Sequence, residues 1–271
     1  MTSAYTGPMN DLALIFAGFF VGTVVGLTGV GGGSLMTPIL IFFFGFKPYL
    51  AVGTDLLFAA FTKMGGTVRS ARAGMVNWHI VAHLSAGSIP AALITLYILH
   101  RVGPANPVVQ GLMTTTLGVA LLLTAAATLY KAVRGKALPV TLVRGQEALA
   151  AKPRHWSLPL LLGAVVGTLV SLTSVGAGAI GVSVLLIVYP LLPLPRIVAA
   201  DIAYAVPLTL VAGLGHASLG SVDWPLLLKL LAGSLPGIWI GSHLMGRINE
   251  RVVRSILSLL LAWAGVKLIA I

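Results

Sequence analysis

Long apolar segments follow one another along almost the entire chain, and charged residues are scarce. Hydrophobic residues make up 58% of the sequence and charged residues 8%, whereas about a quarter of the residues of a soluble domain are charged. A membrane-spanning helix needs roughly 20 mostly apolar residues, or fewer where a half-helix is enclosed by protein. The composition therefore excludes a soluble domain and predicts an all-α polytopic membrane protein.

Continuous hydrophobicity divides the chain into about ten segments. They are Leu12–Leu27, Leu35–Phe46, Tyr49–Phe61, Trp78–Leu99, Val108–Tyr130, Leu158–Leu172, Ala179–Leu192, Ile197–Leu214, Trp224–Met245 and Val252–Ile271. The second and seventh segments are shorter than a full span requires. We therefore expect these two to be half-helices.

The basic residues are distributed unevenly over the loops between these segments. If the N-terminus faces outward and every segment crosses, all but four of the 17 Lys and Arg residues fall on one side; the exceptions are Lys47, Arg101, Lys229 and Lys267. The positive-inside rule then places the basic linker 131–157 in the cytoplasm, where it can touch anionic headgroups. The net charge of +11 thus indicates topology and not nucleic-acid binding. Because the N-terminus from Met1 to Asp11 has no Lys or Arg, we expect no cleaved signal peptide.

An internal duplication relates the two halves of the chain. The stretch from Gly18 to Gly33 matches Gly163 to Gly178, and three further stretches match in the same order. Those further matches begin at Ala51 and Ile197, at Gly74 and Gly220, and at Ala86 and Ala232. Because each half has five segments, an odd number, we expect inverted-topology repeats at 1–130 and 158–271. Secondary transporters are commonly built this way, with the substrate site at the repeat interface.

Glycine-rich breaks precede the short segment of each half and form the candidate binding site. Glycine lets the backbone approach a ligand closely, and the following helix adds N–H donors at the positive end of its dipole. The alternative uses are tight turns, close helix packing and hydroxyl bonding to helix carbonyls. The candidate residues are Thr28, Gly29, Val30, Gly31, Gly32, Gly33 and Ser34 in the first half, and Thr173, Ser174, Val175, Gly176, Ala177 and Gly178 in the second.

Asp55 and Asp201 lie in apolar segments at matched repeat positions. A carboxyl group at membrane depth is costly unless it is paired or faces a cavity, so both are candidates for proton coupling or gating. The alternative is that they cap helix N-termini. Lys63 could attract an anion or simply mark the inner side, and His216 could relay protons or do neither. The chain has no Cys and no cluster of metal ligands, so we predict neither a metal nor a cofactor.

In these motifs the chain resembles the TauE/SafE family of sulfite and organosulfonate exporters, also called TSUP transporters. The resemblance rests on the glycine run ending at Gly33, on the Ala-Val-Gly-Thr-Asp-Leu stretch from Ala51, and on the Gly-Met-Val-Asn-Trp turn from Gly74, with weaker copies in the second half. It covers nearly the full chain. It implies transport of a sulfur-containing anion such as sulfite, sulfate or an organosulfonate.

The sequence thus predicts a secondary transporter for a small anion in a prokaryotic plasma membrane, exporting its substrate and with proton coupling as one option. A passive anion channel of similar architecture is the alternative. An enzyme is disfavoured because no nucleophile with a base is visible in the pattern. The expected partners are the anion and membrane lipid, without nucleic acid, and a homodimer remains open.

Overall fold

The computed structural model describes residues 8–28, 33–134, 157–176, 178–189, 192–244 and 250–270. Within these ranges the chain forms ten α-helices and no strand, which confirms the all-α prediction. The helices are α1 Pro8–Thr28, α2 Gly33–Phe42, α3 Pro48–Arg72, α4 Trp78–Val102, α5 Pro107–Arg134, α6 Ser157–Thr173, α7 Ala179–Val188, α8 Leu194–Ser218, α9 Trp224–Leu244 and α10 Glu250–Ile269. Most of the predicted linker, from 135 to 156, lies outside the described residues.

Five of these helices, α4, α5, α8, α9 and α10, are long and apolar enough to cross a membrane. Shorter apolar stretches occupy α1 and α6. The helices α2 and α7 have 10 residues each, about 15 Å at 1.5 Å per residue, or half the hydrocarbon thickness. The two short segments of the sequence are therefore short helices, and the protein is a multi-pass membrane protein.

The helices α3 and α8 are longer than hydropathy predicts. The sequence places the end of the third segment at Phe61, but α3 continues to Arg72, and α8 runs past Leu214 to Ser218. Hydropathy fails here because α3 carries Lys63 and its basic last turn within one continuous helix. Both helices bury long faces against other helices, as far as Lys63 in α3 and His216 in α8. Packing therefore shelters these two polar residues, whereas the last turns of α3 are largely exposed.

The repeated Gly-x-Val-Asn/Asp-Trp motif ends one helix and starts the next. Gly74 and Gly220 both adopt a left-handed conformation, with φ of 65° and 68°, which is the usual role of glycine after a helix C-terminus. The Asn77 side chain then accepts hydrogen bonds from the backbone of α4, and Asp223 accepts one from Leu226 in α9. The motif is therefore a compact stop and start signal that fixes the α3–α4 and α8–α9 corners in both halves.

Helix α1 packs in parallel against α9, and α6 packs in the same way against α4. Along α1, Gly18 faces Leu230 and Gly26 faces Ile238, so the residue numbers increase in the same direction along both helices. The equivalent contact in the other pair places Gly167 against Ser88. The first helix of each half is thus docked onto the fourth helix of the other half.

Equivalent helices of the two halves run in opposite directions where they meet. In the pair formed by α3 and α8, Gly53 faces Ser221 whereas Gly66 faces Ile202. The residue numbers therefore increase along one helix while they decrease along the other. The pair formed by α5 and α10 is also antiparallel, with Gly118 against Ile269 and Leu122 against Gly265. Two separate apolar clusters fill the space around α3 and α8. This central pair positions the charged residues of the candidate site.

Candidate functional site

The two glycine-rich breaks lie where the sequence places them, between α1 and α2 and between α6 and α7. Residues Gly29, Val30, Gly31 and Gly32 of the first break lie outside the described residues, as does Ala177 of the second. Thr28 is the last residue of α1 and Gly33 the first of α2. The site geometry is therefore described from the second break and from the helices around both.

The second break has a backbone that favours glycine. Gly176 and Gly178 adopt φ values of 135° and 133°, and Ser174 has a φ of 60°. L-residues with a side chain rarely adopt such positive values. The sharp reversal between α6 and α7 therefore explains the glycine pattern, and it turns Ser174 out of the helical path.

The hydroxyl of Thr173 is engaged within its own segment. Its Oγ1 donates to the carbonyl oxygen of Leu169 at 2.6 Å and accepts from the backbone N–H of Val175 at 3.1 Å. Val175 itself is buried in an apolar cluster. Thr173 and Val175 therefore stabilise the conformation of the break. Hydrogen bonding of a hydroxyl to nearby backbone is one of the alternatives to ligand binding that the sequence allows.

Asp55 lies fully buried in α3 and faces both short elements of the site. Its Oδ2 accepts a hydrogen bond from Thr37 Oγ1 of α2 at 2.5 Å. The Ser174 side chain lies near the same carboxylate, but Ser174 Oγ and Asp55 Oδ1 have no hydrogen-bond partner within the described chain. Asp55 of the first half thus meets the glycine-rich break of the second half.

Asp201, in α8, is also buried, with 1% of its surface exposed. It packs directly on Gly181 near the start of α7: a Cβ placed on Gly181 would come within 2.0 Å of Asp201 Oδ1. Each carboxylate therefore contacts the short helix of its own half, Asp55 with α2 and Asp201 with α7. Asp55 lies next to the second break, and Asp201 lies next to α7, the helix that follows this break.

We expect Gly181→Ala to displace the Asp201 carboxylate without separating the helices, because the obstructing atom is the end of a side chain. The change should cost about 1–3 kcal/mol of unfolding free energy, as overpacking typically does, and should impair transport more than folding. Thermal unfolding in detergent and flux in proteoliposomes measure the two effects. Gly66→Ala is the matched control, since its Cβ would meet only Ile202 Cγ2 at an ordinary 3.5 Å.

In contrast to Gly181→Ala, the Gly66→Ala control should be neutral or slightly stabilising, because alanine is favoured over glycine in helices by roughly 0.5–1 kcal/mol. Wild-type flux in Gly181→Ala would contradict a functional position for Asp201.

Lys63 is the buried cation of this cluster, with 6% of its surface exposed. The charges that act on it are those of the Asp201 and Asp55 carboxylates. Because Asp55 is eight residues away on the same helix, about 12 Å along the axis, the sequence predicts no direct pair between Lys63 and Asp55. The antiparallel packing of α3 and α8 brings Asp201 near Lys63 instead. One lysine of the first half therefore interacts electrostatically with carboxylates from both halves.

His216 lies near the other end of α8, fifteen residues beyond Asp201, about 22 Å along the helix axis. It is fully buried. Its Nε2 donates to the carbonyl oxygen of Ser171 in α6 at 2.9 Å. The Nδ1 atom has no hydrogen-bond partner in the described part of the chain. The structure therefore links His216 to α6 and does not bring it to Asp201 and Lys63.

Three residues of this arrangement do not stand out in the sequence: Thr37, Gly181 and Ser171. Thr37 is a hydroxyl residue within the short apolar α2, and Gly181 interrupts the apolar run of α7. Thr37 and Gly181 could be found in the sequence because each is a small or hydroxyl residue inside a short apolar helix that follows a break. Nothing in the local sequence marks Ser171, because its backbone carbonyl is what His216 contacts.

Comparison with known proteins agrees with this architecture. The sequence profile of the family described as "Sulfite exporter TauE/SafE" matches residues 14–268. The chain belongs to the TauE/SafE family. It is a membrane transporter of that type, which confirms the resemblance that the repeated motifs indicate.

Several TauE/SafE relatives match over most of both chains. The "Probable membrane transporter protein YjnA" of Bacillus subtilis is 35% identical over 268 residues, which cover 96% of this chain and all of the relative. YunE of the same organism, also described as a probable membrane transporter, is 27% identical and covers 90% of each chain. MJ0441 of Methanocaldococcus jannaschii, with the same description, is 25% identical over 93% of this chain and 92% of its own. No solved structure matches the chain.

Proposed function

We propose that the protein is a proton-coupled secondary transporter that exports a small sulfur-containing anion, such as sulfite, sulfate or an organosulfonate, across a prokaryotic plasma membrane. The observation that carries this proposal is the buried cluster of Asp55, Asp201 and Lys63 beside a glycine-rich break. Charged groups inside a membrane protein commonly mark ion or proton pathways. The family description, a sulfite exporter, supports the substrate class and the direction.

Alternating access between inverted repeats is the mechanism that fits this packing. The antiparallel pairing of α3 with α8 and of α5 with α10 supports an inverted relation of the halves, since a two-fold axis across the helices reverses their direction. Two short helices preceded by breaks stand at equivalent positions. In such transporters, rocking of one repeat against the other exposes a central site to each face in turn.

The anion would bind at the breaks, where backbone N–H groups and hydroxyls are within reach. The start of α7 lies at the positive end of the helix dipole, and its first N–H groups would serve as donors, since those of Gly181 and Val182 already bind the carbonyl oxygens of Gly176 and Gly178. Ser174 offers a buried hydroxyl that has no hydrogen-bond partner in the described chain. The sequence predicts the corresponding donors of the first half from Thr28 to Ser34, of which 29–32 lie outside the described residues. Oxygen atoms of a sulfur oxyanion accept such hydrogen bonds, and no cofactor is needed.

Electrostatics explain why a proton would accompany the anion. With both carboxylates ionised, Asp55, Asp201 and Lys63 sum to one negative charge, and a bound anion adds another. Two like charges about 5 Å apart repel by about 3 kcal/mol at an effective dielectric constant of 20. Protonation of one carboxyl group removes that repulsion. The cluster therefore favours the protonated carrier when the anion is bound, which couples the two fluxes.

Asp55→Asn and Asp201→Asn test this coupling. We expect each variant to fold, because asparagine matches aspartate in size, and to lose the dependence of sulfite flux on an imposed pH gradient. The measurement is uptake of labelled sulfite by proteoliposomes with and without that gradient, with sulfoacetate and sulfate as competitors and acetate as a carboxylate control. Asp11→Asn is the matched variant, since Asp11 is partly exposed and pairs with Lys229 near the start of α9.

Different outcomes of this experiment separate the alternatives. Gradient-driven flux that survives in both Asp55→Asn and Asp201→Asn would show that neither carboxyl group couples protons. Sulfite flux that never exceeds equilibration would instead indicate a passive channel. Accumulation of acetate in preference to sulfite would rule out the proposed substrate class while leaving the coupling intact.

A further inference from the structure

A groove opens sideways between α1, α2 and α10, away from the charged cluster. Its volume is about 490 Å³, and its lining is apolar apart from the hydroxyl of Ser34 and the edge of Trp263. Large aromatic side chains form much of its rim; Phe16, Phe43 and Trp263 are each more than half exposed. In a membrane protein such a surface faces lipid and not water.

The groove has the length of a single leaflet. Its lining follows α2 from Ser34 to Phe42 and continues to Phe44, which is about 15 Å for the ten residues of the helix. The hydrocarbon core of a bilayer is about 30 Å thick. A lipid acyl chain that enters the groove from one membrane surface therefore fits along it and ends near the middle of the bilayer.

A single lysine stands at the end of the groove where α2 finishes. Lys267 Nζ lies 4.9 Å from the ring centre of Phe42 and 5.0 Å from that of Trp263, and these two rings contact each other at 5.6 Å. Its side chain is exposed, and no carboxylate pairs with it among the described residues. The apolar groove thus ends in a positive charge held in place by two of its own lining residues.

We propose that this groove binds one acyl chain of an anionic phospholipid whose phosphate contacts Lys267. The apolar lining of the groove matches the acyl chain, and the lysine at its end matches the negatively charged phosphate. The groove-facing residues of α2 include Leu35, Pro38 and Phe42, whereas Thr37 is fully buried and bonds Asp55. The lipid therefore supports the outer face of the short helix whose inner face holds a carboxylate of the transport site.

Native mass spectrometry of the purified full chain tests the proposal, with phosphatidylglycerol and phosphatidylcholine as probes. We expect the wild type to retain one phosphatidylglycerol in preference to phosphatidylcholine. Lys267→Gln should reduce that preference about fivefold, the equivalent of the ~1 kcal/mol that one lysine contributes near an anionic surface. Ala17→Trp fills the groove and should weaken retention of both lipids.

Arg101→Gln is the matched control, because Arg101 is also a cation over an aromatic ring, 5.1 Å from the centre of Tyr97, at the end of a helix. It does not line this groove and should leave lipid retention unchanged. Should Ala17→Trp fail to fold, Phe43→Glu places a repelling carboxylate at the mouth on a residue that is 73% exposed, and should reduce phosphatidylglycerol retention.

The proposal is overturned if Lys267→Gln keeps the full preference for phosphatidylglycerol. It is also overturned if Ala17→Trp or Phe43→Glu abolishes a dimer and leaves lipid binding intact, since the groove would then bind a second copy.

Discussion

Replacing Lys63 with methionine is expected to lower the free energy of unfolding by about 3–5 kcal/mol, the range seen when one partner of a buried ion pair is removed. Methionine preserves the length and the burial of the side chain but leaves Asp55 and Asp201 without their cation. Both carboxylates are almost completely buried, so water cannot take its place. Thermal unfolding in detergent measures the loss, and proteoliposome flux should fall below detection.

A second substitution separates the loss of charge balance from a general packing defect. Asp201→Asn in the Lys63→Met background removes one of the two uncompensated charges and should recover most of the lost stability. Asp55→Asn should recover less, because Asp55 lies about 12 Å from Lys63 along the axis of α3. A double-mutant cycle over Lys63 and Asp201 then reports their coupling directly.

Lys47→Met is the control for the Lys63 series, because Lys47 precedes the same helix and its side chain caps nothing there. It should behave like the wild type. If Lys63→Met with Asp201→Asn is no more stable than Lys63→Met alone, the two residues do not form the pair that the packing of α3 and α8 indicates.

Much of this architecture is encoded locally and could be predicted from the sequence. The glycine runs mark both breaks, and the apolar runs after them mark α2 and α7 because a half-helix needs fewer apolar residues than a full span. The matched positions of Asp55 and Asp201 also follow from the repeat. Both are buried in helix interiors, and neither carboxylate caps a helix N-terminus, which was the alternative.

The partners of these residues could not be predicted, because they depend on how distant helices align. Lys63 and Asp201 are far apart in sequence, and only the antiparallel register of α3 and α8 brings their charges together. The same holds for His216, which looks like a third member of the charged group but contacts Ser171 instead. Hydropathy ends α3 too early for a related reason: Lys63 and the basic last turn lower the average hydropathy, although Lys63 itself is buried by protein.

Gly22→Val is expected to separate α1 from α9 and to leave little folded protein. A Cβ on Gly22 would lie 2.4 Å from the backbone carbonyl oxygen of Ser234, and backbone atoms cannot move aside as a side chain can. Close approach through small residues is a main source of helix association in membranes. The cost should therefore exceed the roughly 1–3 kcal/mol of ordinary overpacking, and 3 kcal/mol alone lowers the melting temperature by roughly 6–12 °C for a chain of this size class.

Gly111→Val provides the matched control for Gly22→Val, since nothing lies within 4 Å of a Cβ at Gly111 in α5. Fluorescence-detected size exclusion and thermal unfolding should show this variant close to the wild type. A Gly22→Val protein as stable as Gly111→Val would contradict the tight contact between α1 and α9.

The equivalent variant of the second half makes this a test of the repeat as well as of one contact. Gly167 corresponds to Gly22, and a Cβ there would lie 2.3 Å from the backbone oxygen of Ser88 in α4, just as Gly22 meets Ser234. Because the two sites carry the same clash, Gly167→Val should destabilise the protein to a similar extent. Equal losses are expected only if each half docks its first helix onto the fourth helix of the other, so a harmless Gly167→Val would contradict a two-fold relation between the halves.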